Sequence, residues 1–273
     1  MEILLVPVLR SLRDLYDIEG VMPRFQAYVS LAFGETRGEP LPIGAFSPMG
    51  RRQRAFLDAL IDSGAERVAA EAASEGARRL EPLSDIYRSM LVVTDVPRNG
   101  WTQRHLTDAE WRFSNKYDAL PKNAPPVGFD RWVSVQLWTD ERPTAEYVRR
   151  ETVAAIYRAA HQRHIGLPRT LGDMICQEGR AYAFAGYAPD LDADDLSYSR
   201  EVIKPLLRSA HYPTCFTAFY GDEAARSVGY EPLGLSAQAG FNVGLARAQE
   251  HGCPERWLLD ASTDRNDKTI IAV

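Results

Sequence analysis

One acidic residue in a predicted apolar helix is the clearest candidate for chemistry in this sequence. Residues 170–186 should form a helix, because the side chains of Thr170 and Asp173 can accept from free N–H groups at its start. Glu178 lies in the middle of this helix. Its neighbours at spacings of three and four residues are Met174, Ile175, Ala181 and Tyr182. An ionised carboxylate among apolar side chains must find a partner or take up a proton, so Glu178 is a candidate catalytic residue or metal ligand.

A structural ion pair is the alternative role for Glu178. This role is favoured, because structural pairs also perturb the pKa of a carboxylate. The partner could be Arg180 of the same helix or an arginine of the preceding helix. The arginines considered there are Arg149, Arg150 and Arg158. In either role, the carboxylate of Glu178 should face the preceding helix rather than bulk solvent.

The preceding helix, expected at residues 143–165, carries two histidines near its end. His161 and His164 are three residues apart, so about 60° separates them around the helix axis. They could share a metal ion such as zinc, which makes His161, His164 and Glu178 the candidate metal ligands. The alternative, which is favoured, is a polar helix C-terminus at which cationic side chains interact with the helix dipole.

Three aromatic residues are candidates for binding a ligand. Trp101 follows Asn99 and Gly100 in a predicted turn, where its side chain could line a cleft or simply pack. Tyr157 lies in the helix that carries the two histidines. Tyr182 lies one turn after Glu178.

Weaker candidate sites lie elsewhere in the chain. His105 could bind a metal together with nearby acidic residues, although acids are also favoured at the start of a helix. Cys215 and His211 could form a nucleophile and its base, although a buried structural cysteine is the usual case. The sequence contains no phosphate-binding loop, no dinucleotide fingerprint and no G-x-S-x-G motif, so nucleotide binding and the α/β-hydrolase mechanism have no support.

Three segments, residues 152–159, 170–173 and 178–181, follow one another in an order that resembles the core of gluzincin-type metallopeptidases. The likeness is greatest to predicted bacterial zinc proteases, in which an H-E-x-x-H helix is followed by an E-G-x-A helix. The resemblance covers at most about residues 130–250. It implies a zincin-like fold and a zinc ion, with Glu178 at the position of the family's third ligand.

The sequence departs from that family at the residues that carry its chemistry. When the acid-bearing helices are aligned, Ala155 and Ala159 occupy the two histidine positions, and Ile156 occupies the position of the general base. Alanine cannot bind zinc, and isoleucine cannot activate water. His161 and His164 would face away from that site, at about 200° and 140° from Ala159 around the helix. The resemblance therefore implies a scaffold that has lost its zinc chemistry.

Two predicted strands and the helix at 143–165 should form the framework of the site. Residues 90–94 form a continuous apolar run that is rich in β-branched side chains, which is typical of a buried strand. Residues 132–138 alternate between aliphatic and other side chains, which indicates a strand with one aliphatic face. We expect a helix-rich α+β fold in which a small mixed sheet packs on the central helix, as in zincins.

Other local patterns complete the expected organisation. Thr107 and Glu110 form a capping box that predicts a helix at residues 108–118. Residues 213–220 are expected to be a strand or an irregular segment, and residues 269–273 a terminal strand.

A proline-rich connector at residues 121–126 is the expected domain boundary. It would separate an N-terminal α/β part, residues 1–120, from a zincin-like helical part, residues 127–273. The connector is short, so one continuous domain is the alternative.

Composition limits the class of protein. The chain has 273 residues, of which 45% are hydrophobic, which is enough to bury a core, and its net charge of -5 argues against nucleic-acid binding. Cys176, Cys215 and Cys253 form no C-x-x-C pair, which favours free thiols in the reducing cytoplasm. The apolar run at residues 3–9 predicts a buried strand rather than a signal peptide, and no segment has the length of a membrane span.

Two functions are consistent with these observations, and a third, that of a structural or assembly subunit, would need an exposed apolar patch. In the first, a zincin-like domain without peptidase chemistry binds a small molecule or a protein partner beside Glu178. In the second, the protein is a metal-dependent hydrolase that uses Glu178 with histidines from elsewhere in the chain, namely His105 or His211. The sequence names neither a substrate nor a partner.

Overall fold

A computed structural model of the protein describes most of the chain. The described residues are 1–36, 38, 40–50, 52–96, 103–113 and 132–263. The contacts among them divide the chain into two compact units. The first lies within Met1–Asp108 and Asn115–Ile156, and the second within Ala109–Ser114 and Tyr157–Val273. The expected connector at 121–126 lies outside the described residues, so the predicted domain boundary stays a prediction.

The first unit contains a small parallel sheet. Its described strands are β1 (Glu2–Leu5), β2 (Ile86–Thr94) and β3 (Trp132–Trp138), in the order β1-β2-β3. Both strand pairs are parallel, and Ser89 in the middle strand lies between Leu5 and Val133. The expected strands at 90–94 and 132–138 are therefore present. The expectation of a mixed sheet is wrong for the described strands, because alternation of side chains does not report the direction of a strand's neighbour.

Helices pack on this sheet. Parallel strands are joined by long crossover connections, which usually contain helices and place them on the faces of the sheet. The helices of the first unit before β2 are α1 (Leu9–Asp14), α2 (Val21–Ala32), α3 (Gln53–Asp62) and α4 (Ala65–Arg79). Of these, α4 contacts β1 and β2, and α3 contacts β2. The middle strand β2 is buried from Ser89 to Thr94, which agrees with its continuous apolar sequence.

Two helices run from the first unit into the second. These are α5 (Arg104–Phe113) and α6 (Ala145–His164). The predicted start of α5 at residue 108 is wrong, because the helix begins one turn earlier, where the Gln103 side chain accepts from the backbone N–H of Leu106 at 2.7 Å. Thr107 thus lies inside the helix and does not cap it. Helix α6 is close to its predicted range.

All of the regular secondary structure that is described in the second unit is helical. Its remaining α-helices are α7 (Leu171–Phe184), α8 (Ala193–Ile203), α9 (Tyr212–Tyr220), α10 (Asp222–Ser227), α11 (Ala239–Glu250) and α12 (Pro254–Thr263). Helix α7 has the predicted capping box of Thr170 and Asp173. Residues 213–220 belong to α9, so the predicted strand or irregular segment is wrong there: Pro213 occupies the first turn, which proline tolerates. The predicted terminal strand at 269–273 lies outside the described residues.

The architecture is therefore a helix-rich α+β fold, as the sequence predicts. The zincin-like character of that fold stays a prediction. None of the helices in the described part of the chain is long and apolar enough to cross a membrane.

Helices α7 and α11 approach so closely that two glycines face each other. A Cβ atom placed on Gly179 would lie 2.2 Å from the backbone carbonyl carbon and oxygen of Gly244. A Cβ atom on Gly244 would lie 2.4 Å from the carbonyl oxygen of Ile175. Since neither backbone can move without displacing its helix, the glycine that follows Glu178 in the sequence is required by packing.

We predict that Gly179→Ala lowers the free energy of unfolding by about 3 kcal/mol, because the added methyl group overpacks the contact between α7 and α11. Gly44→Ala is the control, because a Cβ atom there would meet no atom within 4 Å. Urea denaturation of both variants measures the difference. Equal stability of the two variants would show that α7 and α11 do not pack this closely.

Candidate functional site

Glu178 is completely buried in the second unit, and its carboxylate faces Arg158 of α6. Arg158 of α6 binds both carboxylate oxygens: its Nε donates to Oε1 at 2.6 Å and its Nη2 donates to Oε2 at 2.8 Å. This two-pronged pairing matches the planar guanidinium to the planar carboxylate, which is the strongest geometry for such a pair. One of the arginines expected as a partner is therefore the partner found.

Arg112 of α5 supplies a second guanidinium to the same carboxylate. Its Nη1 donates to Oε2 of Glu178 at 2.6 Å, and its Nη2 donates to the hydroxyl of Tyr182 at 3.0 Å. The guanidinium also lies 5.3 Å from the centre of the Tyr182 ring. Sequence reasoning missed Arg112, because nothing in the local sequence links it to an acid 66 residues away.

Two glutamines join the ion pairs to the end of α5. The side-chain nitrogens of Gln162 and Gln177 each donate to the backbone carbonyl of Arg112 at 2.8 Å. This carbonyl lies in the last turn of α5, where carbonyls have no partner within the helix. Gln177 also donates to Oε1 of Glu178 at 2.9 Å. We call Arg112, Arg158, Gln177 and Glu178 the carboxylate cluster.

The cluster keeps Glu178 ionised although the residue is buried. Burial alone would raise the pKa of its carboxyl group, but the charge of Arg158 and then that of Arg112, with hydrogen bonds from Arg158 and Gln177, lower the pKa to about 2. Glu178 in turn raises the pKa of Arg158 against the effect of burial. At neutral pH both partners are charged.

All of the hydrogen-bonding capacity of this carboxylate is used. A carboxylate has about four lone-pair positions. Glu178 accepts four hydrogen bonds: two from Arg158, one from Arg112 and one from Gln177. To bind a metal ion or to accept a proton from substrate, Glu178 would first have to give up at least one of these donors.

The candidate binding residues lie in different places. The hydroxyl of Tyr182 accepts from Arg112, so Tyr182 adjoins the carboxylate cluster. Tyr157 does not contact the cluster through its hydroxyl, which donates instead to the backbone carbonyl of Pro254 at 2.9 Å. Trp101 lies outside the described residues.

The candidate metal ligands are not grouped as a metal site would require. The described residues contain no set of three or more His, Cys, Asp or Glu side chains that could hold a metal ion. His161 is buried, and its ring stacks on Trp257 with 5.7 Å between the ring centres. His164 is only partly buried, at the end of α6. A zinc site made by His161, His164 and Glu178 stays a prediction without support from this arrangement.

His211 and Cys215, the candidate base and nucleophile, bind other partners in the structure. The ring Nδ1 of His211 pairs with the hydroxyl of Thr214 at 2.9 Å, whereas the thiol of Cys215 donates to the carbonyl of Ser209 at 3.2 Å. These two residues therefore do not form a nucleophile and base. In α6, Ala155 and Ile156 are buried aliphatic side chains. Such side chains cannot act as a zinc ligand or as a general base.

Comparison with known proteins gives little information on function. No family model matches the chain, and no solved structure matches it. Over 113 residues the chain is 30% identical to YjfC of Bacillus subtilis (strain 168), which is itself described as an uncharacterized protein. The match covers 38% of this chain and 38% of that protein. The function must therefore be argued from the carboxylate cluster.

We predict that Glu178→Gln lowers the free energy of unfolding by about 4 kcal/mol, because the change leaves two guanidinium groups without their anion and turns an amide donor towards them. The control is Glu75→Gln in the first unit, which breaks a pair with Arg149 whose side chains are 36% and 39% exposed. That change should cost under about 1 kcal/mol.

Urea denaturation at neutral pH measures both values. A loss in Glu178→Gln no larger than in Glu75→Gln would contradict the buried pairing.

His161 should make the stability of the protein depend on pH in the acidic range. Burial, and then the positive charge of Arg180, lower the pKa of His161 from 6.5 to about 4, although Glu178 and Asp173 act in the opposite direction. As the pH falls through 6.5, the unfolded chain takes up this proton while the folded chain does not, so stability is lost between pH 6.5 and about 4.

We predict that His161 accounts for about 3 kcal/mol of the free energy of unfolding lost over that interval. In His161→Phe the loss between pH 6.5 and 4 should be smaller by this amount. Denaturation with urea at several pH values measures it. Parallel pH profiles for the variant and the natural protein would contradict the prediction.

Proposed function

We propose that this protein contains a zincin-like domain without peptidase chemistry, which acts by binding a small molecule or a protein partner beside the carboxylate cluster. The observation that carries the proposal is the complete occupation of the Glu178 carboxylate by donors of the protein itself. In the family that the sequence resembles, the matching acid is the third ligand of zinc.

The two guanidinium groups provide the compensating positive charge that a divalent metal ion would otherwise provide. A buried carboxylate needs compensating positive charge, and Arg158 and Arg112 deliver it with hydrogen bonds to both oxygens. A metal ion is therefore not needed to keep Glu178 ionised in the folded chain. The replacement of the two ligand positions by Ala155 and Ala159 and of the base by Ile156 supports the same proposal.

The exposure of the cluster indicates what a ligand would meet. Glu178 has no exposed side-chain surface, whereas the side chains of Arg112 and Arg158 are 14% and 12% exposed. The arginine side chains, and not Glu178, thus supply exposed surface at the cluster. The arrangement favours a ligand or partner that presents hydrogen-bond acceptors.

The metal-dependent hydrolase is the competing hypothesis. It would require Arg158 to leave both oxygens of Glu178 and histidines to take its place. Of the two histidines that this hypothesis names, His105 and His211, the ring Nδ1 of His211 pairs with the hydroxyl of Thr214 in the structure. No described contact favours the hydrolase.

Metal analysis of protein purified without a histidine tag tests the proposal. We expect less than about 0.1 metal ion per chain, both as purified and after dialysis from a zinc-containing buffer, because the donors of Arg158 and Arg112 fill the carboxylate. Stoichiometric zinc or iron that is lost in Glu178→Ala would overturn the proposal and favour the hydrolase hypothesis. Arg158→Ala is the informative companion: metal bound only by this variant would show that the arginine excludes metal.

A further inference from the structure

Helix α12 contacts α6 and α7 through the ring of Trp257. Among the residues of α12 whose side chains the structure describes, Leu258 is the one that is buried. The ring of Trp257 covers His161 of α6, nearly parallel to it at an interplanar angle of 14°. The guanidinium of Arg180 on α7 lies 3.6 Å from the centre of the same Trp257 ring. One hydrogen bond, from the hydroxyl of Tyr157 to the carbonyl of Pro254, holds the first residue of the helix.

The contact with Trp257 leaves His161 in an unfavourable environment. His161 is 3% exposed, and neither of its ring nitrogens has a hydrogen-bond partner among the described residues. Both nitrogens can bond to water when the ring is exposed, and burial of the ring, one face of which lies against Trp257 of α12, removes those bonds. The buried ring therefore carries a free-energy penalty, which access of water to its nitrogens would reduce.

A glycine lies at the point about which α12 could turn. Gly252 precedes the helix by two residues and has φ of 88°, which most other residues avoid. A Cβ atom at this position would meet no atom within 4 Å. The segment from His251 to Cys253 is exposed.

We propose that α12 is a releasable cover, which swings about Gly252 and uncovers the surface of α6 and α7 formed by Tyr157, His161 and Arg180. The closed state is the one in the structure. The open state gives the two imidazole nitrogens access to water and presents a phenol, an imidazole and a guanidinium group together. This surface is separate from the carboxylate cluster, and its opening does not depend on the function proposed above.

Amide hydrogen exchange of the full chain, followed by mass spectrometry, tests the proposal. The amides of residues 258–261 in α12 should exchange at least about tenfold faster than those in the middle of α7, because a local opening exposes α12 without unfolding the unit. In His161→Phe the exchange of α12 should slow by about tenfold, because the ring keeps its stacking and loses its unsatisfied nitrogens. Exchange in α7 should not slow to the same extent.

Two further variants make the result decisive. His211→Phe introduces the same change at an exposed position outside α12 and the segment around Gly252, and should leave exchange in α12 unchanged. Trp257→Ala removes the ring that lies against His161. It should speed exchange in α12 by about tenfold while α7 keeps its protection. This variant tests the proposal even if His161→Phe does not fold. Exchange of α12 and α7 at one common rate in the natural protein would overturn the proposal, as would unchanged exchange of α12 in a folded His161→Phe.

Discussion

A buried carboxylate that is neutralised by two guanidinium groups is the interaction on which the second unit depends. Removing Glu178 from water carries a large penalty, which is offset only because Arg158 pairs with both oxygens and Arg112 and Gln177 fill the remaining positions. The arrangement joins α5, α6 and α7 at a single point. Arg112 lies on α5, Arg158 on α6, and Glu178 with Gln177 on α7, so the position of each helix is tied to the other two.

The same interaction explains why an acid in a helix that looks like part of a zinc site need not bind zinc. A metal ion and a pair of guanidinium groups are alternative ways to compensate the charge of Glu178, and the donors seen here leave none of its oxygens unused. The close contact of Gly179 with Gly244 likewise accounts for the glycine without a role in chemistry. The Glu-Gly pair that resembles a catalytic signature is here required by charge compensation and by packing, which are structural demands.

The sequence predicts the features that depend on near neighbours. The capping box of Thr170 and Asp173 was found as predicted, because its hydrogen bonds span three residues. Arg158 was among the partners expected for Glu178, because both lie on predicted consecutive helices. Arg112 was not, since its contact joins residues far apart in the chain and the predicted start of its helix was wrong. The direction of the strands and the helical state of residues 213–220 also depend on tertiary packing, which overrides local propensity.

The ionisation state of Glu178 tests this account most directly. With glutamate labelled by carbon-13 at the carboxyl position, the NMR signal of Glu178, assigned by its absence in Glu178→Gln, can be followed from pH 7 to the acid limit of the folded protein and again after zinc is added. The account predicts no titration until the pH approaches about 2, and no shift with zinc. A signal that titrates near 4.5, or that moves on addition of one equivalent of zinc, would contradict it.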